Sequence, residues 1–140
     1  MKIFLDASVI LAGLASENGG SRVLLSLSEQ KKIITVVSAL VLEEVKRNIE
    51  KKFSERELLR FASWLKKAQP QVVAVRKREI ESFREIVISK DRHVLASADK
   101  AEVNYLVTLD KKHLLIINQK RAPLSFNILT PGELITLLQE

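Results

Sequence analysis

Lys2-Ile3-Phe4-Leu5-Asp6-Ala7-Ser8-Val9-Ile10-Leu11 is the stretch that decides the fold. An apolar run stops at Asp6, and an apolar helical stretch follows at once. This reads as a strand, an acid at its carboxyl end, then a helix. The arrangement returns near the other end of the chain. There Tyr105-Leu106-Val107-Thr108-Leu109 runs into Asp110, followed by Lys111-Lys112-His113-Leu114. In a parallel α/β sheet, ligands bind at the carboxyl ends of the strands. Two strands ending in aspartate bring two carboxylates to one edge. Like charges at close range repel unless a cation lies between them. A divalent metal site is therefore the first expectation.

Strand and helix signals alternate between these two points, which argues for βα units and a parallel sheet. Residues 2–6 read as the first strand and Ile33-Ile34-Thr35-Val36-Val37, a β-branched run, as the second. Residues 71–75 and 105–109 read as the third and fourth, and 126–129 as a short fifth. Helices are expected over 8–15 and 20–29, split by Asn18-Gly19-Gly20. Ser38 is placed as the N-cap of a helix to about Lys51. Ser54-Glu55-Arg56-Glu57 is a capping box that opens a helix to about Ala68. Further helices are expected over 77–87 and 91–102, and Pro131 opens the last at its favoured first position. No repeat, linker or low-complexity tract interrupts the series, so residues 1–140 are expected to form one domain.

Composition narrows the function classes. A hydrophobic fraction of 46% with 29% charged residues fits a globular protein with a real core. No apolar run has the roughly 18 residues of a membrane span. The amino end enters a strand without the features of a signal peptide, so a cytoplasmic location is expected. Cysteine is absent, which excludes disulfides and thiolate metal sites. The net charge is +6, against an acidic cluster that needs local negative charge. A polyanion held by a basic surface and cut in an acidic pocket fits that contrast. A charge that merely aids solubility fits it too.

Each acid has an ordinary structural reading as well as a chemical one. Asp6 and Asp110 could each cap a helix or turn. On the helix after the second strand, Val41, Leu42, Val45 and Ile49 form one apolar stripe. Glu43 points away from it with Lys46 and Arg47, whereas Glu44 lies on its flank beside Asn48. Asp91 begins its helix on the same side as Val94, Leu95 and Ala98; Asp99 reads as a surface acid. Taken together, Asp6, Glu44, Asp91 and Asp110 would all point at one sheet edge. Magnesium and manganese take oxygen ligands. Such an ion can activate water for in-line attack on a phosphodiester.

The two histidines are read as peripheral. His93 lies opposite the apolar stripe and is expected to be exposed, and His113 is given a supporting or surface role. A zinc site lacks its histidine spacing. A glycine-rich phosphate loop and a nucleophile elbow are also missing.

Phe4-Leu5-Asp6-Ala7-Ser8, Ser38 through Glu44-Val45, Lys90 through Ala98, Tyr105 through Asp110 and Thr130-Pro131-Gly132-Glu133 together resemble the PIN-domain ribonuclease family. The match follows nearly the whole chain in order. Its most specific parts are the Asp91 segment and the Thr108-Leu109-Asp110 turn. The resemblance implies a three-layer α/β/α sandwich around a parallel sheet of strand order 3-2-1-4-5. It also implies Mg²⁺- or Mn²⁺-dependent endonuclease activity on single-stranded RNA, with Asp6, Glu44, Asp91 and Asp110 as catalytic metal ligands. Many small members are toxins of toxin–antitoxin pairs and homodimers are common, so an antitoxin and a second copy are the expected protein partners. Many members carry a further acid soon after the residue matching Asp110; here Lys111, Lys112 and His113 stand there.

Ser8, Lys46, Arg47, Thr108 and Lys111 are the candidate substrate contacts, chosen because they neighbour the acids in sequence. Aromatics are few, so base stacking is not a strong expectation. The leading expectation is a toxin-like endoribonuclease working through metal-activated water. The alternative is a PIN-type RNA-binding or scaffold domain with weak or lost cleavage. A phosphatase or receiver fold using one aspartate as phosphoryl acceptor would want further acids near Asp6, and Ser8 stands where a dehalogenase-like phosphatase would have one.

Overall fold

In the computed structural model, residues 1–87, 89–120 and 124–140 are described. The strands are β1 (Lys2–Leu5), β2 (Ile34–Ser38), β3 (Gln71–Val73), β4 (Tyr105–Val107) and β5 (Asn127–Leu129). They form one sheet of order β3-β2-β1-β4-β5, and every pairing is parallel. This is the order that the family resemblance implies. β1 lies at the centre, and Ile3, Phe4 and Leu5 are all fully buried. A strand covered on both faces has no solvent side, which is why it reads as continuous apolar sequence.

The helices are α1 (Ala7–Ala15), α2 (Gly20–Glu29), α3 (Ala39–Lys52), α4 (Glu55–Ala68), α5 (Lys77–Glu81), α6 (Ser89–Lys100) and α7 (Pro131–Leu138). They cover the sheet as an α/β/α sandwich. α1 packs on α2 and α3, α2 on α4 and α7, and α6 on α5 and β2. The α1–α2 approach depends on Gly13. A Cβ there would meet Leu25 Cδ1 at 2.6 Å. Trp64 is fully buried and stacks on Phe61 with ring centroids 6.4 Å apart, so it belongs to the core rather than to an exposed contact.

Several elements differ from their expected bounds; β3 and β4, for example, end two residues early, at Val73 and Val107. The helix expected over 77–87 stops at Glu81. Just beyond it, the Ser82 hydroxyl donates to the Glu79 carbonyl at 2.6 Å. The chain then continues in i→i−3 turns, such as Phe83 N to Ile80 O. A side chain that bonds the backbone locally competes with the helical ladder. The next helix begins at Ser89, so Asp91 sits within its first turn rather than at its cap. Finally, Leu115–Lys120 forms a 3-10 helix, which the sequence pattern does not announce.

Candidate metal centre

β1 and β4 end side by side, and the Asp6 N–H donates to the Val107 carbonyl at 3.1 Å. Asp6 is the N-cap of α1 and only 8% exposed. Its Oδ1 accepts from the Ala7 N–H at 2.8 Å. Its Oδ2 accepts from the Thr108 hydroxyl at 2.7 Å and from the Ser8 hydroxyl at 3.1 Å. Burial pushes the Asp6 carboxyl above its ordinary range; the bonds from Thr108, Ala7 and Ser8 oppose this, and the nearby charge of Asp110 adds to it. Among the described residues no lysine or arginine forms an ion pair with Asp6.

Asp110 is anchored in the same way. Its Oδ1 accepts from the backbone N–H groups of Lys112 and His113 at 3.1 and 3.0 Å. The capping reading of both aspartates is thus correct as far as it goes. It uses Oδ1 of each; Oδ2 of Asp6 accepts the two hydroxyls, and Oδ2 of Asp110 faces the His113 ring.

Glu44 is half-buried and Glu43 exposed, as the stripe on α3 requires. The side chain of Asp91 is 14% exposed. Asp6, Glu44, Asp91 and Asp110 all line one cavity of about 260 Å³, together with Asn48 and His93. A larger cavity, about 650 Å³, opens at the amino ends of β4 and β5 beside Asn104 and Asn127. It gathers Asp99 and Glu102 but none of the four predicted acids. Convergent carboxylates rather than volume mark the smaller cavity as the chemical one.

His93 is not peripheral. It is half-buried and lines the acidic cavity, and burial lowers its pKa while the charges of Asp6 and Asp91 oppose that shift. The stripe argument fails because Val94, Leu95, Ala96, Ser97 and Ala98 are all buried. A helix covered nearly all round has no free face for the opposite residue to occupy. His113 also turns inward. Its Nδ1 lies 3.3 Å from Asp110 Oδ2 and 3.7 Å from Asp91 Oδ2. One donor atom each from Asp91, Asp110 and His113 lie within 4.8 Å of one another, a group able to hold a metal ion. The only signal in the sequence is the i, i+3 spacing of Asp110 and His113.

The candidate substrate contacts divide. Thr108 is fully buried, and its hydroxyl donates to Asp6 while accepting from the Asp110 N–H at 3.1 Å. It is therefore placed to position the acids, not to meet an incoming chain. Ser8 is half-buried at the cavity wall. Its hydroxyl donates to Asp6 and accepts from the Leu109 N–H at 3.1 Å. Lys46, Arg47 and Lys111 are exposed and do not line the cavity.

The donor set is oxygen-rich, with imidazole nitrogen at its margin. That chemistry fits a hard or borderline divalent cation. The profile of the PIN domain matches residues 2–112. The chain also resembles, in fold, the crystal structure of VapBC2 from Rickettsia felis bound to a DNA fragment from their promoter. That likeness covers 93% of this chain and 98% of the other, at 16% identity and a TM-score of 0.66. No curated protein matches.

Proposed function

This chain belongs to the PIN-domain family, and from that premise we propose that it is a metal-dependent endoribonuclease that cleaves single-stranded RNA. The carrying observation is the convergence of Asp6, Glu44, Asp91 and Asp110 on one cavity at the carboxyl ends of the strands. In this reading these four carboxylates hold Mg²⁺ or Mn²⁺, and residues 1–140 act as one nuclease domain. When bound, the ion supplies an activated water and neutralises charge on the phosphate.

The remaining work falls to the chain itself. Backbone N–H groups and the hydroxyls of Ser8 and Thr108 fix the carboxylates of Asp6 and Asp110 in place. Carboxylates held before the ion arrives need little reorganisation when charge develops. The exposed Lys46, Arg47 and Lys111 are assigned to the RNA phosphates, while the proton of Ser8 stays on Asp6. The net charge of +6 supports that assignment.

The biological role that goes with this reading is that of a toxin neutralised by an antitoxin, acting in the cytoplasm as a homodimer. Support comes from the family resemblance and from the fold shared with VapBC2. Among the described residues no helix is long and apolar enough to cross a membrane.

The test is incubation of the purified chain with single-stranded RNA in Mg²⁺ or Mn²⁺, with and without chelator. Cleavage is expected only with metal, leaving 5′-phosphate and 3′-hydroxyl ends. Undiminished cleavage in excess EDTA, or a 2′,3′-cyclic phosphate product, would refute the mechanism.

A further inference from the structure

Asp110 and His113 belong to one tight turn. Because Asp110 Oδ1 is spent on the N–H groups of Lys112 and His113, Oδ2 is the atom left facing the imidazole, 3.3 Å from Nδ1. Across the turn, Asp91 Oδ2 stands 3.7 Å from the same nitrogen. Ligands of a common first-row ion each lie roughly 2.1 Å from it. Both separations are below twice that length, so each pair of atoms could share one ion. One donor atom from each of the three residues lies within 4.8 Å of the other two. His113 keeps a side-chain exposure of 33%, so the site has a way in from solvent.

We propose that His113 Nδ1 joins the carboxylates of Asp91 and Asp110 as a ligand of the divalent cation, and that this nitrogen makes the site prefer Mn²⁺ and later first-row ions to Mg²⁺. The inference rests on the metal-dependent reading above and adds to it a ligand and a metal class. Imidazole suits transition metals, whereas Mg²⁺ favours oxygen and gives up its waters reluctantly. A neutral imidazole adds a nitrogen donor to the carboxylates without adding charge. The ordinary alternative is that His113 merely hydrogen-bonds the two acids. In that case the nitrogen never touches metal, and Mn²⁺ gains nothing from it.

The experiment titrates Mn²⁺ and Mg²⁺ into the full chain as wild type, His113→Gln, His93→Gln and Asp110→Asn. Pulsed EPR of the Mn²⁺-loaded proteins reads nitrogen hyperfine coupling. In wild type the coupling is expected, with Mn²⁺ binding at least about tenfold tighter than Mg²⁺. His113→Gln should lose the coupling and about tenfold or more of the Mn²⁺ affinity, with a smaller change for Mg²⁺. His93→Gln should keep the coupling, since that ring lines the acidic cavity but is not one of the proposed ligands. If Mn²⁺ binds and Asp110→Asn abolishes binding, but wild type shows no nitrogen coupling, the acid site stands and His113 is not a ligand. Coupling that persists in His113→Gln or vanishes in His93→Gln overturns the assignment equally. Failure of wild type to bind either metal would overturn both this inference and the reading on which it rests.

Discussion

The Thr108 hydroxyl donates to Asp6 Oδ2 at 2.7 Å, a contact that closes 102 residues of chain. The same hydroxyl accepts from the backbone N–H of Asp110 at 3.1 Å. One buried side chain thus ties together the acids at the ends of β1 and β4. Thr108→Val keeps the shape and removes the hydroxyl. Because the lost bond ran to a buried carboxyl group, the expected cost is roughly 1.5–3 kcal/mol in urea unfolding. Thr108→Ser should recover most of that stability. Equal stability of the valine variant and wild type would show that the hydroxyl does not support the acids.

Asp6 permits a signed pH test. Its folded pKa is raised above the unfolded value by burial. The stability tied to its protonated form is fully present below the unfolded pKa, near 3.8. That stability is lost as pH rises through the folded value. Asn at this position carries no charge at any pH. Without metal, Asp6→Asn should therefore gain on wild type between pH 3 and pH 7, as read by melting temperature in chelator. A constant difference across that range would contradict the burial effect.

Metal removes the same penalty in another way. Mn²⁺ should raise the melting temperature of wild type, because a ligand that binds only the folded state stabilises it. Asp6→Asn and Asp110→Asn should lose most of that rise together with RNA cleavage. Equal responses to Mn²⁺ in all three proteins would mean that the strand-end aspartates are not metal ligands.

Lys46 and Arg47 are exposed on the helix that carries Glu44. If they hold RNA phosphates, affinity should fall linearly with salt on logarithmic axes. Reversing both charges should weaken binding and flatten that slope. Unchanged affinity and slope would remove α3 from the RNA-binding surface.

Ser38 is buried at the N-cap of α3, where its hydroxyl accepts from the Val41 N–H at 3.0 Å. Ser38→Ala should cost about 1 kcal/mol in denaturant unfolding. The Mn²⁺ response should persist, since the change touches none of the proposed metal ligands.

The strand-to-acid junctions at Asp6 and Asp110, the α3 stripe that separates Glu44 from Glu43, the caps at Ser38 and Ser54 and the helix start at Pro131 were legible because each depends on residues a few places apart. Periodicity, capping and strand ends are local, and here local preference and global fold agree. The places of His93, Thr108 and His113 depended on neighbours far along the chain. α6 is covered by both α5 and β2, so its helical wheel misplaced His93. Thr108 looked free for substrate until the approach of β1 to β4 buried it against Asp6. His113 met Asp91 only because the turn after β4 lies beside the first turn of α6. Sequence alone set which residues carry carboxylates and at which strand and helix ends they stand; the packing of parallel strands and helices decided which of them share one cavity, which hydroxyl is sealed, and which ring faces the acids.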